Sequence, residues 1–227
     1  IDKTKRVVCV SNGTLALHAI YFYLKNKNIK WVSPSFTFPS CSVGGFNIDI
    51  VDIDNKTYTI PLNDYMLNKY DGFLITNLFG TYPKNIKNWI SKCKENNKIL
   101  IFDNASSPMT EIDGINYCNF GDFCFGSLHH TKYFGFGEGG FLVCPKEMYD
   151  DFNRICGFGF QKVNGRRIFS KNSSNFKMSD VSAAAILQHI SRYDIDLHIR
   201  NQNKLLGLID KIDGVSVFNF EKGVVLG

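Results

Sequence analysis

The stretch IKNWISKCKENNKILIFD, residues 86–103, changes periodicity partway along. In residues 86–96 the apolar side chains Ile86, Trp89, Ile90 and Cys93 recur at three- and four-residue spacing, as on one face of a helix. Ile99, Leu100, Ile101 and Phe102 then run without interruption and stop at Asp103, which reads as a short strand ending in a carboxylate. The same rhythm extends outward in both directions. Upstream, residues 6–10 form an apolar run broken by Ser11, Asn12 and Gly13, and a helical pattern follows over 14–24. Residues 31–33, 49–52 and 72–77 read as extended, and 37–43 as the start of another helix. Downstream come strands over 123–127 and 140–144 and a helix over 146–155. Residues 157–174 are glycine-rich, basic and irregular, with no clear element. A helix over 179–190 continues with interruption toward Leu208, and 213–220 reads as the first extended element of a further domain. Short strands alternating with helices predict an α/β fold with a mainly parallel sheet, whose chemistry lies just beyond the carboxyl ends of the strands.

Composition narrows the function classes. The chain has 227 residues with 44% hydrophobic content, enough for a substantial core and one main domain. Lys and Arg number 26 against 21 Asp and Glu, a formal charge of +5. The basic residues are scattered, so the sequence predicts no nucleic-acid partner. No apolar run approaches about 18 residues, so no membrane-spanning helix is expected. The seven cysteines form no CxxC pair and their number is odd, which favours reduced thiols and a cytoplasmic setting. The chain opens on Ile1 and closes on Gly227, and both ends read as cuts rather than natural termini.

Four separated segments carry chemistry. Ser11, Asn12, Gly13 and Thr14 stand where a strand turns into a helix, the place for a bound phosphate or for a plain helix cap. Asp103 puts a carboxylate at the sheet edge, to pair with a protonated ring nitrogen or to cap the next turn. Ser127-Leu128-His129-His130-Thr131-Lys132 offers an amine able to form a Schiff base, with a serine nearby to hold a phosphate. Gly137-Glu138-Gly139-Gly140 follows, and its glycines would let backbone pass close to a cofactor. Read singly, Lys132 is as readily a solvated lysine. His129 and His130 lack the third spaced ligand of a zinc site, so no metal is expected. His129 reads as packed beside Lys132 or as structural.

Together these segments resemble the DegT, DnrJ, EryC1 and StrS family of nucleotide-sugar aminotransferases. The resemblance runs over residues 11–18, 33–40, 51–57, 77–83, 101–105, 121–140, 154–157 and 175–184. It implies a three-layer α/β/α large domain of the aspartate aminotransferase-like, pyridoxal-phosphate-dependent type over residues 1–195. Residues 196–227 would be a connecting helix and the start of a truncated small C-terminal domain. It implies that Lys132 holds pyridoxal 5'-phosphate through an imine and moves protons, with Asp103 on the pyridine nitrogen. Gly13, Thr14 and Ser127 become phosphate ligands, and Phe38 stacks on the ring. Ser106 takes a cofactor position where the family often has glutamine, and Asn175 reaches a phosphate across a homodimer interface. The implied substrates are an amino donor, L-glutamate, and a nucleotide-linked keto sugar. The basic residues between Lys162 and Lys171 would face the nucleotide diphosphate, or are simply surface charge.

Departures are equally legible. Asn104, Ala105 and Ser106 follow Asp103 where the family often has two alanines and glutamine, Lys177 stands where arginine is common, and His130 replaces a frequent proline or alanine. They keep open a noncatalytic cofactor- or sugar-binding homologue. The related sugar dehydratases commonly carry histidine in place of the lysine, and Lys132 argues against that alternative.

Overall fold

The computed structural model describes all residues except 44–46, 56, 81, 83–85, 216–223 and 227. The chain starts with β1 (Lys5–Val10) and α1 (Gly13–Leu24). It continues through β2 (Trp31–Pro34), β3 (Ile48–Val51), α2 (Asp64–Lys69), β4 (Gly72–Thr76), α3 (Ile86–Glu95) and β5 (Ile99–Asp103). A small hairpin of β6 (Glu111–Ile112) and β7 (Ile115–Asn116) precedes β8 (Phe123–Ser127), β9 (Gly140–Pro145) and α4 (Tyr149–Cys156). A second hairpin, β10 (Phe160–Val163) and β11 (Arg166–Phe169), leads into α5 (Asp180–Ile190) and α6 (Ile195–Ile209).

Among the described residues, seven strands form one sheet in the order β1-β9-β8-β5-β4-β2-β3. β8, β5, β4, β2 and β3 pair in parallel, while β9 lies antiparallel between β1 and β8. The mainly parallel α/β prediction is therefore correct, and both faces of the sheet are covered. Leu74, Ile101, Phe125 and Leu142 join Leu17, Ile20, Phe152 and Ile155 of α1 and α4 on one face. Phe73, Ile75, Leu100 and Phe102 join Met66, Leu67, Ile86 and Trp89 of α2 and α3 on the other. Successive strand residues point to opposite faces. A strand covered on both sides must therefore be apolar throughout, which is why residues 72–76 and 99–102 show runs rather than alternation.

Helix starts follow side-chain capping. Asn12, Asn63, Ser179 and Asp194 accept from the backbone N–H groups of Leu15, Met66, Ser182 and Leu197 at 2.8–3.1 Å.

Two sequence-based expectations need correction, and a third falls largely outside the described residues. Residues 37–43 form only a short 3-10 turn at Pro39–Ser42, because Val43 is already back in extended backbone. Residues 157–174 are not irregular throughout, since β10 and β11 pair as a hairpin. Its turn, Asn164-Gly165, has positive φ at both residues, 49° and 79°, the backbone that Asn-Gly supports in a tight hairpin. The signal was hidden because every residue of the two strands is exposed, so no burial alternation marks them. For the extended element expected at 213–220, Asp213 and Gly214 form a turn and 216–220 lie outside the described residues.

Phe152 anchors the α4 face. It is fully buried, with its ring centroid 4.9 Å from that of Tyr23 and 5.7 Å from that of Phe123. Phe152→Ala is expected to lower stability by about 3–5 kcal/mol. Urea unfolding should show this as a fall in midpoint with an unchanged slope, and a change below about 1 kcal/mol would contradict this packing.

Candidate functional site

A cavity of about 510 Å³ opens at the carboxyl ends of the parallel strands. Gly13, Thr14, Phe38, Asp103, Ser106, Ser127 and Lys132 all line it, so seven sequence-predicted positions from four separate segments converge. Asn175 does not. It is exposed and forms an isolated backbone bridge with Gly157, outside the cavity lining. Lys177 is also elsewhere, with its Nζ 5.2 Å from the centre of the Phe158 ring and its carbonyl accepting from Ser11 Oγ at 2.7 Å.

Asp103 ends β5 at 3% exposure. One carboxylate oxygen accepts from the Ala105 N–H at 3.0 Å. Burial pushes the carboxyl up from its ordinary 3.8 to about 6, against the opposing pulls of that hydrogen bond and of the Lys132 charge. The next residue, Asn104, is fully buried. Its side-chain oxygen accepts from Asn77 Nδ2 at 2.5 Å, and the Asn77 oxygen accepts from Tyr117 Oη at 3.1 Å. This buried chain ties the end of β4 to the end of β5, where Thr76 lies in register with Asp103. Thr76 and Asn77 both line the cavity, and the sequence reading missed them as site residues. The available signal was positional, for they follow an apolar strand just as Asp103 does.

Lys132 is carried by the connection from β8 to β9. Leu128 donates to the Gly139 carbonyl at 2.8 Å and His130 to that of Gly137 at 3.0 Å, drawing the two arms of the loop together. At the tip, Lys132 N donates to the His129 carbonyl and Gly135 N to that of Lys132, at 2.8 and 2.9 Å. The Lys132 side chain enters the cavity and Nζ donates to Ser106 Oγ at 2.9 Å. His129 also lines the cavity. Its Nδ1 lies 2.9 Å from Thr131 Oγ1, and its Nε2 is 3.5 Å from a Glu138 oxygen. Among the described residues no cluster of three or more His, Cys, Asp or Glu side chains could hold a metal ion.

None of the glycines after Lys132 is itself part of the cavity lining, although Glu138, between Gly137 and Gly139, is. Gly140 serves the loop closure instead. A Cβ there would overlap the Asn12–Gly13 peptide, so its bareness lets β9 press against the start of α1. Asn12, Gly13 and Thr14 at the start of α1 line the cavity together with Ser127. The first-turn N–H groups of a helix have no partner within it, and together with the helix dipole they favour an anion. Phe38, 64% exposed, supplies an aromatic wall. The site thus combines an anion cradle, an aromatic surface, a buried carboxylate and a primary amine.

Comparison with known proteins gives a consistent picture. The profile of the DegT/DnrJ/EryC1/StrS aminotransferase family matches residues 2–212. Protein Mb3436c of Mycobacterium bovis is 26% identical over 215 residues, covering 88% of this chain and 51% of that protein. A dTDP-4-amino-4,6-dideoxy-D-glucose transaminase of Shigella dysenteriae is 35% identical over 102 residues, 44% of this chain and 27% of the relative. The sugar aminotransferase CalS13 from Micromonospora echinospora superimposes with a TM-score of 0.81 at 20% identity, over 96% of this chain and 64% of that one. That likeness shows a shared fold. The chain spans about half the length of the first of these relatives.

Between pH 3.8 and about 6 the folded protein keeps the Asp103 proton that the unfolded chain has released. The contribution of Asp103 to stability is therefore greatest at low pH and falls as pH rises through this window. The full displacement corresponds to about 3 kcal/mol at most. In dialysed protein, Asp103→Asn should remove this slope, so that the variant gains on the native protein between pH 4 and 7. Urea midpoints measured across that range check it, and a difference independent of pH would contradict the burial of this carboxyl.

Proposed function

The chain belongs to the DegT/DnrJ/EryC1/StrS aminotransferase family, and on that premise we propose that the protein is a pyridoxal-phosphate-dependent aminotransferase. It would transfer an amino group from L-glutamate to a keto sugar carried on a nucleotide. The observation that carries this reading is the meeting of Lys132 Nζ and the buried Asp103 carboxylate in one cavity whose wall includes the start of α1.

The residues present fit the cofactor. Gly13, Thr14 and Ser127 would hold its phosphate, where the first turn of α1 favours negative charge. Phe38 would lie against the ring face. Asp103 would pair with the ring nitrogen, and a cation there would draw the carboxyl back down from its raised value. Lys132 Nζ would be the point of covalent attachment. When bound, the cofactor supplies an electrophilic carbon and a pyridinium ring that accepts an electron pair.

The chain's own contribution to catalysis is proton handling and placement. Lys132 Nζ would take a proton from one carbon and return it to another. Asp103 would favour a protonated ring nitrogen by offering it a fixed negative charge out of water. Ser106 keeps its hydroxyl beside Nζ.

A homodimer is part of this proposal. The exposed Asn175 would complete the phosphate site of the second copy, which accounts for its distance from the cavity of its own chain. The basic hairpin, with Lys162, Arg166 and Arg167 exposed, suits the diphosphate of a nucleotide-linked substrate. Residues 1–195 would be the cofactor-binding unit and 196–227 the beginning of a second one. The seven thiols, all unpaired, fit a cytosolic setting. No helix among the described residues is long and apolar enough to cross a membrane.

The test is the absorption spectrum of purified protein with pyridoxal phosphate, before and after excess L-glutamate. The expected result is a lysine-linked band that converts to the amino form of the cofactor, with Lys132→Ala abolishing covalent capture. A linked band without conversion would remove glutamate as donor. No bound signal, or the same adduct retained in Lys132→Ala, would overturn the assignment and favour the noncatalytic homologue.

A further inference from the structure

Resting on the cofactor reading above, we infer that Ser106 is a positioning residue for Lys132: its hydroxyl holds Nζ at the reacting end of the cavity rather than touching the cofactor ring. Nζ lies 2.9 Å from Ser106 Oγ, and both side chains line the cavity. Lysine has a flexible four-carbon stem, so an amine that must meet one atom repeatedly gains from a fixed partner at its tip.

The turn carrying Ser106 is well suited to be that partner. On one side, the Asp103 carboxylate accepts from the Ala105 N–H at 3.0 Å. On the other, Ser107 is fully buried, donates from its N–H to the Asn104 carbonyl at 3.0 Å, and donates from Oγ to the Asn77 carbonyl at 2.8 Å. Ser106 is thus clamped between two held neighbours, and one torsion aims its hydroxyl.

The chemistry of a hydroxyl also differs from that of the nearby carboxylate. An ionised Asp103 only accepts hydrogen bonds. A serine hydroxyl accepts from an ammonium and donates to a neutral amine. It holds Nζ through both protonation states that a proton-moving lysine visits, without fixing it in one. The shorter side chain at this position therefore has a function of its own toward the lysine.

Two probes separate this role from contact with the ring. Covalent capture of pyridoxal phosphate is followed by absorbance and, after borohydride reduction, by mass spectrometry of the Lys132 peptide. Binding of 4'-deoxypyridoxine phosphate, which lacks the aldehyde, reports noncovalent holding alone. In Ser106→Ala, capture is expected to slow about tenfold while affinity for the deoxy compound stays within about twofold, and Ser106→Thr should restore the rate. Capture at the native rate, a parallel loss of affinity for the deoxy compound, or no recovery in Ser106→Thr would each overturn the role. Native protein that takes up neither probe would overturn the cofactor reading itself, and this role with it.

Discussion

The site depends on keeping one carboxylate out of water. Asp103 is almost completely buried at the end of a central parallel strand, and its position offers an N–H from Ala105 and the nearby charge of Lys132 as partial compensation. A buried carboxylate that is incompletely compensated is costly in isolation and well prepared to receive a cation. The surrounding structure is arranged to hold that group in place: β4 and β8 pair with β5 on its two sides, and the buried Tyr117–Asn77–Asn104 chain ties down the strand end.

The amine that answers this carboxylate comes from the antiparallel part of the sheet. β9 runs opposite to its neighbours, so the connection from β8 returns over the cavity mouth rather than crossing the sheet through a helix. Its closure through 128–139 and 130–137 hydrogen bonds presents Lys132, and the contact of Gly140 with the Asn12–Gly13 peptide links this loop to the start of α1. Amine and anion cradle are therefore set by one junction, and a change in the packing of β9 would be felt at both.

Much of this was legible because the physics is local. The continuous apolar runs at 72–76 and 99–102 imply strands covered on two faces, and a polar residue at the end of such a run lies at the open edge of the sheet. Ser127 follows the same logic as the last residue of β8. Asn164-Gly165 was a local signal too, but its strands are exposed on both faces and carry no alternation to frame it. Thr76 and Asn77 were missed for a different reason. Their importance arises from the register of β4 on β5 and from a buried partner in Tyr117, forty positions away.

The sequence by itself determined the fold class and the polar break at which α1 starts, while the candidates for holding a phosphate, a ring and a covalent adduct came from its family resemblance. The fold class follows from side-chain type and from periodicities spanning a few residues. Tertiary structure alone decided that seven of those residues share a cavity while Asn175 lies outside its lining, that Gly140 packs against the Asn12–Gly13 peptide, and that Ser106 meets the lysine. Those outcomes depend on strand order and on the meeting of loops more than twenty residues apart, distances at which no local periodicity carries information.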